Sequence, residues 1–419
     1  MMARMEHDHD ERSSPTVERE RYNLAERMLD ALAGASRSIG LPLTRLDRDS
    51  TIGAARRRTG LVDTGDDRYL GGLDRIIAEA AGRYTGLGDA ILRGLLVRGL
   101  EARLRAVDYL KRHPDVLEVP VAEPIVVLGL PRSGTTVLQR LLAASLDRSQ
   151  LELWELLSVT PVDGADLEAD RQRRIRDSAR LVRLAKLFTP EVDRIHQSTP
   201  TTPDEDWPLQ IPSFHALVFQ SAFGLEEYGR WLQEEADMVW AYGEFKQLVQ
   251  IILLQRPRRR LVLKLPDHLW FIDALLEVFP DASIVQTQRD PVDCIASATS
   301  MFAVQERRLM GRIEWEPLAR RMTAHLLNGA RRAQEARARH DERRFYDAPF
   351  DELVRDPAAV VQGASDHFGW LAPSEASITS ELAKPRADRL GSHRYSHERF
   401  GLEPEDIHRA FGWPGAVDG

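Results

Sequence analysis

The sequence predicts an α/β fold, in which a central parallel sheet is flanked by helices and preceded by a helical N-terminal extension. Short apolar runs of strand length alternate with segments of helical periodicity. The runs lie at residues 125–130, 260–265, 282–287 and 344–347. A glycine-rich loop directly follows the first run, as in P-loop-like folds. Strands that alternate with helices favour a parallel sheet that is covered on both faces.

The chain divides into three predicted parts. Residues 1–18 are rich in charge and predict a disordered tail. Residues 19–118 have apolar side chains at helical spacing, for example over 92–104, and predict an N-terminal helical region without chemistry of its own. Residues 119–419 form the predicted α/β domain, which contains a helical insertion at about 160–255.

Composition and charge limit the classes of function. The 419 residues are 43% hydrophobic and 29% charged, as in ordinary globular proteins, and the net charge of -8 argues against nucleic acid as the main partner. The single cysteine, Cys294, excludes an intrachain disulfide and a zinc site with several thiolates, and it suits a reducing compartment. The N-terminus has no apolar signal-peptide core, and no apolar run reaches about 18 residues. We therefore expect a cytoplasmic protein without a membrane span.

The segment after the first strand, Gly129-Leu-Pro-Arg-Ser-Gly-Thr-Thr136, is the strongest indication of binding. Its glycine spacing is that of a phosphate loop, whose backbone N–H groups and following helix N-terminus face an anion. Thr135 stands where nucleotide triphosphatases have lysine, and the cation of this loop is Arg132. The loop therefore predicts a site for a phosphate-like anion that does not use the usual chemistry of magnesium and ATP.

Cations also follow the next two strands. Lys264 lies in the apolar run of the second strand, where simple exposure of its ammonium group is hard to arrange, and Arg289 follows the third strand. Because the carboxyl ends of parallel strands meet at one edge of a sheet, we expect both side chains to converge on the loop that contains Arg132. The sequence thus predicts an anion pocket in an acidic protein, and we expect no metal site.

Five segments, in order along the chain, resemble motifs of the sulfotransferases that use 3′-phosphoadenosine 5′-phosphosulfate (PAPS). The segments are the loop at 130–136, the strand end at 262–269, Arg289 with Ser297 eight residues later, the strand and helix at 345–357, and the C-terminal pieces at 393–402. The resemblance is nearest to the bacterial carbohydrate and small-molecule type and to the tyrosylprotein type, and it covers roughly residues 124–406. It implies a P-loop-like sulfotransferase fold and transfer of a sulfuryl group from PAPS to an acceptor hydroxyl or amine.

The resemblance also implies roles for individual residues. Those implied in binding PAPS are Arg132, Ser133, Gly134, Thr135 and Thr136 at the 5′-phosphosulfate, Arg289 and Ser297 at the 3′-phosphate, Tyr346 beside the adenosine, and Arg394 in the C-terminal segment that closes over the nucleotide. Arg132 and Lys264 are then the catalytic cations, because preorganised hydrogen bonds to the leaving 5′-phosphate can stabilise its charge without a metal. Lys264 either stabilises the bridging oxygen or protonates it as it leaves.

The general base stays open between two regions of the chain. In the tyrosylprotein type a glutamate shortly before a proline is the base, and Glu155 is similar in position, although an ordinary solvated glutamate on an amphipathic helix would look the same. The rivals are His196 and the acidic run Asp204-Glu205-Asp206, which lie beside Trp207, where an acceptor pocket is expected. A base must lie within hydrogen-bond reach of the attacking oxygen.

Two other functions are compatible with the same loop. A nucleotide kinase or triphosphatase would need a carboxylate for magnesium, for which Asp267 or Asp290 could serve. A catalytically silent nucleotide-binding module could keep the loop and lose the base. The acceptor stays open among small molecules such as phenols, carbohydrates, lipids and peptides, and the sequence does not indicate an oligomeric state.

Overall fold

Four strands form one parallel sheet within residues 24–38, 44–188, 199–256, 260–384 and 403–413, which are the residues that this computed structural model describes. The strands are β1 (Ile125–Gly129), β2 (Val262–Lys264), β3 (Ser283–Gln288) and β4 (Phe345–Pro349). Their order in the sheet is β2-β1-β3-β4, with every pair parallel. The predicted α/β class is confirmed, although β2 is shorter than its apolar run because only three of its residues pair with β1.

Helices surround the sheet. Before β1 come α1 (Leu24–Ser38), α2 (Arg48–Thr59), α3 (Tyr69–Ala80) and α4 (Gly86–Arg112). Between β1 and β2 lie α5 (Thr135–Ser145), α6 (Leu153–Leu157), α7 (Leu167–Phe188), α8 (Val218–Ser221), α9 (Glu226–Glu234) and α10 (Met238–Leu254). After β2 come α11 (Ile272–Val278), α12 (Pro291–Met310), α13 (Trp315–Arg337), α14 (Phe350–Arg355), α15 (Pro357–Phe368), α16 (Glu375–Ala383) and α17 (Pro404–Phe411). Short 3-10 helices lie at Pro114–Glu118, Trp207–Leu209, Ile211–Ser213, Pro266–Trp270 and Glu342–Arg344.

Both faces of the sheet are buried, which explains why β1 is apolar throughout. Side chains alternate between the two faces of a strand, and every residue of β1 is buried. Val126 and Leu128 belong to a larger core that includes the N-terminal helices, whereas Ile125 and Val127 belong to a smaller core built with α5 and α15. A strand covered on both faces reads as a continuous apolar run, and this is the pattern that predicted it.

The parallel register brings the ends of three strands close together at one edge of the sheet. Val127 of β1 pairs with Lys264, the last residue of β2, and Gly129 pairs with Thr287 near the end of β3. Gly129 has a φ of 148°, and a Cβ at this position would lie 2.8 Å from the carbonyl oxygen of Thr287. Only glycine allows β1 and β3 to approach this closely where the phosphate loop begins.

The N-terminal helices share the larger core with the sheet. Buried Leu73 of α3, Leu92 of α4 and Val126 of β1 belong to the same apolar cluster. The predicted N-terminal helical region therefore packs onto the α/β part. The domain boundary at residue 118 stays a prediction. The predicted tail at 1–18 lies outside the described residues.

Arg103 of α4 anchors the N-terminal layer. Its side chain is 1% exposed and forms an ion pair with Glu244 of α10. The guanidinium also donates to the carbonyl oxygens of Thr64 and Asp66, each at 2.7 Å, and lies 4.5 Å from the centre of the Tyr69 ring. Burying a cation costs free energy unless it is paired and hydrogen-bonded, and these contacts meet that requirement.

We expect Arg103→Ala to lower the free energy of unfolding by about 3 kcal/mol, because removing one partner of a buried pair leaves the other partners without a donor. Chemical denaturation followed by circular dichroism measures this loss. Arg105→Ala on the same helix is the matched control, since Arg105 is 48% exposed and lies 3.6 Å from Glu101. Its loss should stay below about 0.5 kcal/mol. Equal losses in the two variants would contradict the anchoring role.

Candidate active site

The loop that follows β1 has the geometry of a phosphate loop. Gly134, with a φ of 94°, caps the N-terminus of α5, and Arg132 has a φ of 71°, which is uncommon for residues other than glycine. The Ser133 hydroxyl oxygen lies 2.5 Å from both the Leu130 carbonyl oxygen and the Thr287 hydroxyl oxygen, so it ties the loop to β3. These constraints hold the first N–H groups of α5, and the positive end of its dipole, at the strand ends.

Lys264 is a buried cation beside this loop. Its side chain is 1% exposed. Its ammonium group donates to Thr136 Oγ1 at 3.3 Å and to Glu205 Oε1 at 3.0 Å. The ammonium therefore lies at the first turn of α5, as expected from its position at the end of β2. An anion on the loop would meet a cation that is already desolvated and oriented.

Arg289 and Ser297 adjoin the same loop. Nη1 of Arg289 donates to the carbonyl oxygen of Arg132 at 2.8 Å, and Nε of Arg132 donates to Ser297 Oγ at 3.2 Å. Asp290 caps the N-terminus of α12 by accepting from the N–H of Val292 at 2.8 Å, which turns the chain directly after Arg289. The residues expected at the two phosphates of PAPS are thus brought together around Arg132.

Phe350 belongs to this region and was missed in the sequence interpretation. The guanidinium of Arg289 lies 4.2 Å from the centre of its ring, and a Cβ at Gly134 would lie 3.0 Å from a ring carbon. Its place follows from the register, since Pro349 pairs with Gln288 at the end of β3. The strand was predicted to end at residue 347; extending it by two residues brings Phe350 level with Arg289.

Tyr346, expected beside the adenosine, lies lower in the sheet. It pairs with Val285 and precedes Pro349 by three residues, or about 10 Å along the strand. A Cβ at Gly363 of α15 would clash with its hydroxyl, and burial raises the pKa of Tyr346. The structure therefore places Tyr346 against α15 rather than beside Arg289.

Three carboxylates of the acidic run lie near the end of β2. Asp206 is fully buried, and its Oδ2 accepts from the N–H of Lys264 at 2.6 Å. Asp204 is also buried, and its Oδ1 accepts from the N–H of Glu205 at 2.8 Å. Glu205 contacts the Lys264 ammonium directly and is 29% exposed. Among these three rivals for the general base, Glu205 combines contact with the buried cation and access from solvent.

The 3-10 helix after β2 adds two titratable groups. His268 is fully buried; its Nδ1 lies 2.8 Å from the Tyr242 hydroxyl oxygen, and its Nε2 lies 3.9 Å from Asp206 Oδ2. Asp267 is partly exposed, and desolvation together with the charge of Glu205 raises its pKa to about 7. Carboxyl groups that titrate near neutral pH are frequent at functional sites.

Glu155, the first candidate for the general base, is held in an ion pair. Its carboxylate accepts from Nε of Arg256 at 2.7 Å and also from Nη2. Its Oε2 accepts from the N–H of Glu152 at 2.9 Å, which caps the start of α6. Glu155 is 5% exposed. The alternative from the sequence, an ordinary solvated glutamate on the surface of a helix, therefore does not apply. These contacts favour a structural role and leave its catalytic role an untested prediction.

Two of the expected site residues, His196 and Arg394, lie outside the described residues.

Within the described ranges, no group of three or more His, Cys, Asp or Glu side chains is placed to hold a metal ion. None of the helices described is both long enough and apolar enough to cross a membrane. Cys294 is buried, which raises its thiol pKa to about 12 and makes it a poor nucleophile.

Comparison with known proteins identifies the family. A model of the sulfotransferase family matches residues 124–372, which is more than half of the chain. Sulfotransferase STF9 from Mycobacterium avium is 28% identical and superposes with a TM-score of 0.78, covering 88% of this chain and 95% of that one. For sulfotransferase STF1 from Mycobacterium tuberculosis H37Rv the identity is 27%, the TM-score 0.75 and the coverage 87% and 98%.

A third relative matches over a shorter region. Omega-hydroxy-beta-dihydromenaquinone-9 sulfotransferase Stf3 from Mycobacterium bovis is 26% identical over 132 residues. This alignment spans 31% of the present chain and about a third, 34%, of that relative. Because the family model matches most of the α/β part and the likeness to the two solved structures extends over nearly their whole length, the chain belongs to the sulfotransferase family.

Proposed function

We propose that this protein transfers a sulfuryl group from PAPS to a hydroxyl or amine of an acceptor. The observation that supports this most directly is the buried ammonium of Lys264, 3.3 Å from Thr136 Oγ1 at the first turn of α5. A 5′-phosphate held by the N–H groups of the loop would place its bridging oxygen near this ammonium. The charge that develops on that oxygen as the bond to sulfur breaks would meet a preorganised cation.

Two anion sites that share Arg132 support PAPS as the donor. The 3′-phosphate distinguishes PAPS from ATP, and we assign its binding to Arg289 and Ser297, which contact Arg132 of the loop. A guanidinium group suits bidentate contact with a phosphate, and the Phe350 ring beneath Arg289 keeps its plane oriented. The hydrogen bond from Arg132 to Ser297 joins the two sites.

The proposed reaction is an in-line displacement at sulfur. The acceptor oxygen forms a bond to sulfur while the bond from sulfur to the bridging oxygen of the 5′-phosphate breaks. Glu205 accepts the proton of the attacking hydroxyl, and the electron pair of the broken bond stays on the 5′-phosphate. Lys264, Arg132 and the N–H groups at the start of α5 stabilise that charge.

Glu205 is the proposed general base in preference to Glu155. It is 29% exposed, so an acceptor hydroxyl can reach it, and it lies 3.0 Å from the Lys264 ammonium. Both oxygens of Glu155 are instead engaged by Arg256. Asp267, with a pKa of about 7, is a second carboxyl group close to Glu205 and could receive the proton afterwards.

A lipid with a terminal hydroxyl is the acceptor class that we propose to test first. The relative Stf3 is named for an omega-hydroxylated dihydromenaquinone, and it aligns with 31% of this chain. The same transfer assay is run with a panel of acceptors that also includes carbohydrates and phenols.

A kinase or triphosphatase function is the weaker candidate. Asp290, which could have held magnesium, caps α12 and lies 2.9 Å from His408 Nε2. Its carboxylate is thus engaged in holding α17 against the start of α12. Thr135 also stands where such enzymes have the lysine that contacts the β- and γ-phosphates.

We expect Lys264→Met to lower kcat for sulfuryl transfer about 100- to 1000-fold, because the developing charge loses its nearest cation. Transfer of labelled sulfate from PAPS measures this. Lys246→Met is the matched control, since Lys246 donates to the carbonyl oxygen of Val278, away from the loop. Undiminished turnover in Lys264→Met would exclude the role assigned to this lysine.

We expect Ser297→Ala to weaken binding of adenosine 3′,5′-diphosphate about tenfold and to leave the affinity for AMP unchanged. A hydrogen bond to a charged group contributes about 1.5–3 kcal/mol, and only the diphosphate has the 3′ group. Isothermal titration calorimetry compares the two ligands. Ser300→Ala, one turn further along α12, is the control. An equal loss for both ligands would place Ser297 outside a 3′-phosphate site.

The choice of base is decided by comparing Glu205→Gln with Glu155→Gln. We expect Glu205→Gln to lower kcat about 100-fold or more without loss of stability, since a positioned base contributes that much. Glu155→Gln should instead lower the melting temperature, because it weakens the ion pair between buried Glu155 and Arg256. Kinetics and thermal unfolding of both variants provide the measurement. The reverse pattern would restore Glu155 as the base.

A further inference from the structure

Asp206 exchanges two hydrogen bonds with the backbone of Lys264. Its Oδ2 accepts from the N–H of Lys264 at 2.6 Å, and its own N–H donates to the Lys264 carbonyl oxygen at 3.1 Å. Strand β2 lies at the edge of the sheet, so Asp206 occupies the place of a further strand on its outer side. Both residues are fully buried, which makes the exchange hard to replace by water.

The exchange also places Glu205. Because Asp206 is bonded to the backbone at the end of β2, the residue before it is brought beside the Lys264 side chain. Glu205 Oε1 lies 3.0 Å from the ammonium as a result. The relative position of the proposed base and the catalytic cation therefore depends on Asp206, although Asp206 itself does not contact the ammonium in the hydrogen bonds described.

A buried pair, Tyr242 and His268, lies behind Asp206. Burial raises the pKa of Tyr242 well above its usual value, so its hydroxyl keeps the proton, and the hydroxyl oxygen lies 2.8 Å from His268 Nδ1. The other ring nitrogen of His268, Nε2, lies 3.9 Å from Asp206 Oδ2. The His268 ring contacts the rings of Tyr242 and Phe245, whose centres lie 5.6 and 5.8 Å from its own.

We propose that Asp206, backed by His268 and Tyr242, is a positioning residue for sulfuryl transfer. It holds Lys264 and Glu205 in the arrangement that the reaction requires. This inference rests on the proposed function. Asp206 acts through hydrogen-bond geometry, so its effect falls on kcat and not on binding of the donor, whose proposed phosphate contacts are Arg132, the start of α5, Arg289 and Ser297.

We expect Asp206→Ala to lower kcat per folded enzyme about 10- to 100-fold, because a displacement of about 1 Å at the reacting groups can cost that much. The KM for PAPS and the affinity for adenosine 3′,5′-diphosphate should change less than twofold. Asp206→Asn keeps an oxygen acceptor for the N–H of Lys264, so it should recover most of the lost rate. Initial-rate assays of sulfuryl transfer give kcat and the KM for PAPS, and circular dichroism gives the folded fraction. Isothermal titration calorimetry gives the affinity for adenosine 3′,5′-diphosphate.

Tyr242→Phe is the milder variant if Asp206→Ala does not fold, since it removes one hydroxyl from the rear of the arrangement. We expect it to lower kcat about three- to tenfold, again at unchanged donor affinity. Tyr228→Phe is the matched control: its equally buried hydroxyl donates to Phe214 O at 2.9 Å, outside the site. It should lose stability and keep kcat.

Three results would overturn the inference alone while wild-type transfer is intact: normal kcat in Asp206→Ala, equal damage in Asp206→Asn and Asp206→Ala, or equal kcat in the two tyrosine variants. A wild-type protein that transfers no sulfuryl group to any acceptor of the panel would instead overturn the proposed function, and the inference with it. The wild-type assay therefore separates the two failures.

Discussion

The site depends on the parallel register of β1 with its two neighbours. Val127 pairs with Lys264 and Gly129 with Thr287, so β2, β1 and β3 end within about three residues of one another, and Lys264 and Arg289 lie beside the phosphate loop. An antiparallel neighbour would send its last residue to the opposite edge of the sheet. A shift of one residue would exchange the faces of the β1 side chains, and the close packing of a different apolar cluster on each face disfavours it. The packing that stabilises the sheet thus also sets the spacing of the charged groups.

Two buried cations differ in how far their surroundings satisfy them. Arg103 and Lys264 are each about 1% exposed. The guanidinium of Arg103 meets a carboxylate, several carbonyl oxygens and an aromatic ring, which satisfies it within the folded chain. The ammonium of Lys264 meets a hydroxyl and a partly exposed carboxylate, and it lies where an anion on the loop would arrive. In both places desolvation strengthens the interactions of the cation with its partners, which at Arg103 belong to the folded chain and at Lys264 would, under the proposed function, include the donor phosphate.

The carboxylates illustrate the limit of motif comparison. Glu155 has the position that the tyrosylprotein type suggests for a base, yet its partner Arg256 is 101 residues away in the chain. Glu205 gave no stronger signal than its acidic neighbours, and it is distinguished by a contact with Lys264, 59 residues away. Phe350 was given no role of its own because the fourth strand was predicted to end at residue 347, whereas it continues to Pro349. The longer strand brings the next residue, Phe350, level with Arg289.

The amino-acid sequence by itself determined the parallel sheet, the phosphate loop and the cations that follow the strands. These features are recognisable because apolar run length, glycine spacing and the polarity of neighbouring residues act over a few positions of the chain. Only the tertiary structure decided that Glu155 is buried in an ion pair with Arg256, and that Glu205 stays partly exposed beside Lys264. It also decided that Asp206 holds the backbone of Lys264. Those interactions join segments that are distant in sequence, and they exist only once both faces of the sheet have been covered.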